Sequence, residues 1–221
     1  MLPDFPPMPP AAVEAATIKS ASLDYVQIDP LPYELKLDAR PLSQIDLIVI
    51  HCTETPTLAS AREFGERVLY PGSGTGNSGH YYIDRDGRTV LYVRPDRVAH
   101  HVRGYNPRSI GIELVNTGRY PHWRDSTHQA MNEPYPEAQI TALLALLKQL
   151  QREFPNVRYI AGHEDLDREM EQALDDPKVQ VPRKRDPGPL FPWPRVMERL
   201  ELERLELERL ELERLFPSAS T

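Results

Sequence analysis

The sequence predicts an α/β fold: a single domain with a central mixed β-sheet flanked by helices, an extended N-terminal arm and a helical C-terminal repeat tail. Three observations carry that expectation. Short β-rich runs alternate with helix-like segments, as in chains that pack strands and helices around one core. One segment, Glu137 to Phe154, repeats apolar residues at helical spacing between two prolines. The 221 residues, 40% of them hydrophobic, supply one substantial core, against a prior of about 100 to 200 residues per domain.

In chain order, residues 1–41 are rich in proline (Pro3, Pro6, Pro7, Pro9, Pro10, Pro30, Pro32) and show no sustained periodicity, so they are expected as an extended arm. The domain is expected over 42–195. Its first strand is the apolar run Ile45 to His51 (IDLIVIH). Ala59 to Tyr70 suits a helix, and Tyr70 to Gly79 is a glycine and serine loop. Gly74, Gly76 and Gly79 spell GxGxxG, but no strand precedes the motif and no helix follows, so a loop at the rim is expected and not a dinucleotide site. His80 to Ile83 and Thr89 to Val93 form a hairpin about Asp86-Gly87. Ser109 to Val115 (SIGIELV) is another strand. The polar and aromatic stretch between Tyr120 and Tyr135 is expected to be irregular, with His122, Trp123 and His128 as candidates to shape a groove.

The helix over Glu137 to Phe154 rests on Ile140, Leu143, Leu144, Leu147 and Leu150, with Pro136 and Pro155 as its brackets. Val157 to His163 (VRYIAGH) closes the set of strands. From Glu198 the unit ERLEL repeats through the tail, 196–221. Glu, Leu and Arg favour a helix, yet a five-residue period walks its leucines around the helix instead of along one stripe. The tail therefore reads as a low-complexity extension of the last helix with some capacity for self-association.

Composition narrows the function classes. A net charge of -7 argues against a nucleic-acid partner. The single Cys52 forms no internal disulfide, and no apolar run reaches the ~18 residues needed to span a bilayer. The opening MLPDFPPMPPAA has neither a basic n-region nor an apolar h-region. If Met1 is the native start, a cytoplasmic protein is expected; if a signal has been removed, a periplasmic or outer-membrane-associated one.

Two histidines stand at strand ends, His51 and His163, ahead of Asp186 in the run Lys184-Arg185-Asp186-Pro187-Gly188. Two imidazoles and a carboxylate are the protein ligands of an open, catalytic zinc site. Taken singly, each histidine is more often a hydrogen-bonded structural residue, and an Asp before Pro-Gly is usually a turn residue. No HExxH cluster gathers the ligands locally, so spacing leaves both readings open.

The ordered segments IVIHCTET, HYYIDRDGRTV, VAHHVRGYNPRSIGIEL, AGHEDL and RKRDPGPLFPW, from about Leu42 to Trp193, resemble the zinc-dependent N-acetylmuramoyl-L-alanine amidases of the type 2 class. This class also includes phage lysozyme-type amidases and the animal peptidoglycan recognition proteins. The resemblance implies one Zn2+ held by His51, His163 and Asp186, with Glu113 activating water and Lys184 stabilising the oxyanion. It places His101, Arg103 and Asn106 at the substrate cleft, and Cys52 as a small packed residue. Gly79 stands where some members carry a catalytic-site tyrosine, which points to the bacterial branch that uses Glu. The implied partner is peptidoglycan or a muropeptide, cut between N-acetylmuramic acid and L-alanine. The alternative is a non-catalytic module that recognises cell-wall fragments, whose members are expected to lack a ligand.

Overall fold

The computed structural model describes residues 26–205. In chain order the elements are β1 (Val26–Ile28), β2 (Leu47–Cys52), α1 (Leu58–Glu66), β3 (Tyr81–Ile83), β4 (Thr89–Leu91), β5 (Ser109–Leu114), α2 (Glu137–Glu153), β6 (Tyr159–Gly162), α3 (His163–Leu166), β7 (Met170–Gln172), β8 (Gln180–Pro182), α4 (Trp193–Met197) and β9 (Glu203–Arg204). Seven strands form one sheet in the order β1-β4-β3-β5-β2-β6-β9, and β7 and β8 form a separate antiparallel pair. Within the large sheet the β3–β4 hairpin is antiparallel and the other pairings are parallel, so the sheet is mixed and mostly parallel, with helices packed on it.

β2 is central and buried along its whole length, which is why its sequence runs apolar instead of alternating. It pairs with β5 on one side and β6 on the other. α2 covers one face: Ile140, Leu143, Leu146, Leu147 and Leu150 are buried in the main core, while Leu144 sits at its margin. The buried Gln139 side chain donates to the carbonyls of Ile83 and Val115, tying the helix to the ends of β3 and β5. α1 begins at a Thr57 cap, whose hydroxyl accepts from the Ser60 N–H. It ends at Glu66, earlier than expected, because the chain turns at Tyr70, where both Leu69 and Tyr70 donate to the Thr75 carbonyl.

Two expectations at the termini are corrected. Residues 26–41 do not extend from the domain as an arm. β1 adds to the sheet edge beside β4, and Leu31, Tyr33 and Leu37 are buried against Leu58, Ala61 and Tyr92 in a second apolar cluster. Burial of these scattered side chains, invisible to a search for periodicity, outweighs the loosening effect of Pro30 and Pro32. Residues 1–25 of the expected arm lie outside the described residues. At the other end, α4 stops at Met197, and the first repeats of ERLEL form a turn and β9 instead of a helix. The open edge of β6 decides this: Glu203 N–H donates to the Arg158 carbonyl and Leu205 N–H to that of Ile160, while Leu202 and Leu205 become buried. Arg204 pairs with Asp165 and lies over the Trp193 ring. Tertiary pairing thus overrides helix propensity. The remaining repeats, 206–221, and the self-association expected of them lie outside the described residues.

No helix among the described residues is long and apolar enough to cross a membrane. The carboxyl ends of β2, β5 and β6 lie side by side, the location where open α/β sheets place their ligand sites.

Candidate metal centre

His51 is the penultimate residue of β2 and pairs in register with Glu113 on β5; His163 directly follows β6. Parallel pairing of three strands therefore delivers two imidazoles and a carboxylate to one end of the sheet. Asp186 arrives from the irregular segment after β8, held by its carbonyl accepting the Glu164 N–H and by the Tyr135 hydroxyl donating to the Pro187 carbonyl at 2.6 Å. The Nδ1 atoms of His51 and His163 both face Asp186 Oδ2, at 2.9 and 3.1 Å. One donor atom from each of the three residues lies within 4.8 Å of the others, and all three side chains are buried. It is the one such cluster among the described residues.

The donor set fits a divalent metal ion. Asp186 Oδ1 is buried with no hydrogen-bond partner, an orphan that a cation would satisfy. Burial raises the Asp186 carboxyl, but the neighbouring His163 and His51 imidazoles outweigh it and hold the group well below the usual carboxylate range. Burial lowers His163, with partial opposition from Asp186. A carboxylate and a neutral imidazole are the protonation states that ligation requires.

Glu113 Oε1 lies 4.0 Å from His51 Nδ1. Its carboxyl is raised, first by burial and also by Asp186, against the lowering effects of His51 and Lys184. Gly79 lies directly against it: a Cβ there would stand 2.7 Å from Glu113 Cγ. The glycine and the glutamate are thus one arrangement, and a tyrosine at 79 would require Glu113 to move. Lys184 shares the cleft lining with Glu113 and the three metal-capable residues, in a cleft of about 620 Å³.

The three residues expected at the substrate cleft all line it, but their side chains differ in what they touch. Arg103 is exposed and donates to both oxygens of Glu169. The Asn106 Oδ1 accepts the backbone N–H groups of His101 and Val102 at 3.0 and 2.8 Å, fastening the loop. His101 stands behind His51, with its Nδ1 3.0 Å from His51 Nε2. Burial first, then the nearby His51, His80 and His163 rings and Arg40, pushes the His101 imidazole well below its ordinary range. Of the groove candidates, Trp123 lines the cleft, whereas His122 and His128 are exposed and gather around Asp125. Cys52 is buried beside His51 and outside the donor set, in keeping with a packed residue.

Sequence reasoning missed a buried ion pair next to the site. The Arg119 guanidinium donates to both carboxylate oxygens of Glu54, at 2.7 and 3.0 Å, and also to the carbonyls of Pro182 and Trp123, at 2.8 and 3.2 Å. Glu54 itself has a φ of 46°, a left-handed backbone unusual for a residue with a side chain. The pair fastens the loop after β2 to the segment that leads into Lys184 and Asp186. Glu54 is visible in HCTETP three residues after His51, but nothing local marks Arg119, 65 positions away, as its partner.

Fold and site together define a class: an α/β domain with one cluster of three residues able to hold a metal ion at the carboxyl ends of its central strands. Residues 41–189 match the N-acetylmuramoyl-L-alanine amidase family, and the chain belongs to that family. It is 36% identical over 122 residues to the 1,6-anhydro-N-acetylmuramyl-L-alanine amidase AmpD of Enterobacter cloacae, a match covering 51% of each chain. The chain thus spans about half the length of that curated relative. Among solved structures it resembles a selenomethionine derivative of AmpD, with a TM-score of 0.56 and 26% identity over 81% of this chain and 96% of that one. It also resembles the Escherichia coli amidase AmiD in complex with the substrate anhydro-N-acetylmuramic acid-L-Ala-D-γ-Glu-L-Lys. That match has a TM-score of 0.52 and 25% identity over 82% of this chain and 66% of that one.

Proposed function

We propose that this chain is a zinc-dependent amidase that hydrolyses the bond between N-acetylmuramic acid and L-alanine in peptidoglycan or muropeptides. The observation that carries the reading is the convergence of His51, His163 and Asp186 with the Glu113 carboxylate beside them. Cleaving an amide near neutral pH needs an activated water, a polarised carbonyl and a proton for the leaving amine. When bound, zinc supplies Lewis acidity, polarising a carbonyl and lowering the pKa of a coordinated water to about 7. Glu113, 4.0 Å from His51 Nδ1, accepts the proton of the attacking water and carries it to the leaving nitrogen. Lys184 stabilises the negative charge that gathers on the carbonyl oxygen. The Glu54–Arg119 pair keeps the segment bearing Lys184 and Asp186 in place, and Arg103 at the rim is available to contact substrate.

The muropeptide bound by the E. coli relative and the activity in the name of the E. cloacae relative support this substrate class. The test is mass spectrometry of a defined muropeptide after incubation with the protein, with chelator, and with zinc restored. Release of the intact stem peptide, lost on chelation and recovered with zinc, is expected. A zinc-loaded protein that binds the muropeptide without cutting it would make the chain a recognition module instead.

A further inference from the structure

Behind the metal centre runs a chain of hydrogen bonds whose directions are fixed from its far end. Ser109 Oγ lies 2.8 Å from the Tyr105 carbonyl oxygen and 3.2 Å from His101 Nε2. A carbonyl only accepts, so the single Ser109 hydroxyl proton goes to Tyr105 and an oxygen lone pair faces His101. His101 must then donate at Nε2. A neutral imidazole that donates at one nitrogen accepts at the other, so His101 Nδ1 accepts from His51 Nε2, 3.0 Å away. His51 is thereby left with its lone pair at Nδ1, so in this tautomer it makes no hydrogen bond to Asp186 Oδ2, 2.9 Å away, and the two acceptor atoms together suit a cation.

The surroundings are built for this contact. The His51 and His101 rings meet edge to face at 84°, with centroids 5.1 Å apart. Asn106 holds the His101 backbone from the loop side. On the sheet side Gly111 leaves the ring its space, since a Cβ there would stand 2.7 Å from the imidazole. On the far side of His101 lies His80, its ring fixed by accepting the Gly111 N–H at Nδ1.

We propose that His101 and Ser109 are positioning residues that set the tautomer and orientation of His51, presenting its Nδ1 to the metal, and that His101 does not act by contacting substrate. The inference rests on the zinc reading above. Without His101 the imidazole of His51 is free to turn and to move its proton to Nδ1, where it would block ligation. Loss of such an outer partner typically weakens metal binding about 10- to 100-fold.

The experiment measures zinc affinity by competition with a chromophoric chelator, and KM and kcat for a defined muropeptide at saturating zinc. It uses the full chain as wild type, His101→Ala, His101→Asn and Ser109→Ala, with folding checked by circular dichroism. His101→Ala is expected to lose about 10- to 100-fold in zinc affinity with KM unchanged. His101→Asn, which keeps an acceptor near the Nδ1 position, is expected to recover most of the loss. Ser109→Ala is expected to lose less, in the same direction, and keeps the test decisive should His101→Ala not fold. Unchanged zinc affinity in His101→Ala or Ser109→Ala, or a raised KM as the main effect in His101→Ala, would overturn the inference while leaving the metal site intact. A wild type that binds no zinc would overturn the zinc reading itself, an outcome separate from the other two.

Discussion

Replacing Arg119 by Met would strand a carboxylate next to the cluster of His51, His163 and Asp186. The Arg119 side chain is 1% exposed and that of Glu54 10%, so water cannot take over the solvation that the guanidinium provides. Breaking a buried pair by removing one partner costs about 3–5 kcal/mol, and here the carbonyls of Pro182 and Trp123 lose a donor as well. At roughly 2–4 °C per kcal/mol for a domain of this size, the expected fall in Tm is on the order of 10 °C. Calorimetry of the metal-free protein reads it directly. The double variant Glu54→Met with Arg119→Met is the control, because removing both charges leaves no stranded carboxylate and should be less costly than Arg119→Met alone. Arg119→Met within about 2 °C of wild type, or a double variant no better than the single one, would refute the claim that this pair fastens the two loops.

Further outcomes are expected. Glu113→Ala should keep its zinc, measured as metal per chain, and lose about 10²- to 10⁴-fold in kcat; full turnover would remove Glu113 as the base. The Glu164 carboxyl is raised by burial, Asp165 and Asp186 to about 7. The folded metal-free protein therefore binds more protons than the unfolded chain between about pH 4.3 and 7, and stability falls as pH rises through that window. Glu164→Gln should accordingly raise Tm more at pH 8 than at pH 5, and equal shifts would refute it. Leu205→Ala should destabilise by about 2–5 kcal/mol in denaturant titration, since Leu205 is buried beneath the sheet edge; a neutral effect would mean that the repeat is not part of the core.

Much of this was legible because burial leaves a mark on sequence. β2 is covered on both faces and reads as an unbroken apolar run, and α2 is covered on one and reads as a stripe. The site was legible only in part. His51 and His163 end apolar strands, but Asp186 reaches them through an irregular segment, 135 positions from His51 in sequence, and only ordered motifs connect the three. The Glu54–Arg119 pair and the Ser109–His101–His51 chain left no local pattern at all, since each depends on where the backbone carries its partners. The repeat misled for another reason. Its composition favours a helix wherever no partner competes, but the unpaired edge of β6 offers backbone hydrogen bonds and burial to two leucines, which propensity cannot anticipate. Residues 26–41 show the same effect, with side chains lacking any period and still buried.

The most direct test of the account is a titration of zinc into the metal-free protein with muropeptide cleavage followed by mass spectrometry at each step, for wild type and Asp186→Ala. Cleavage between the muramoyl sugar and L-alanine that rises in proportion to added zinc, levels off at one equivalent per chain and stays absent in Asp186→Ala is the predicted result. Cleavage without metal, or none from wild type carrying one zinc per chain, would contradict it.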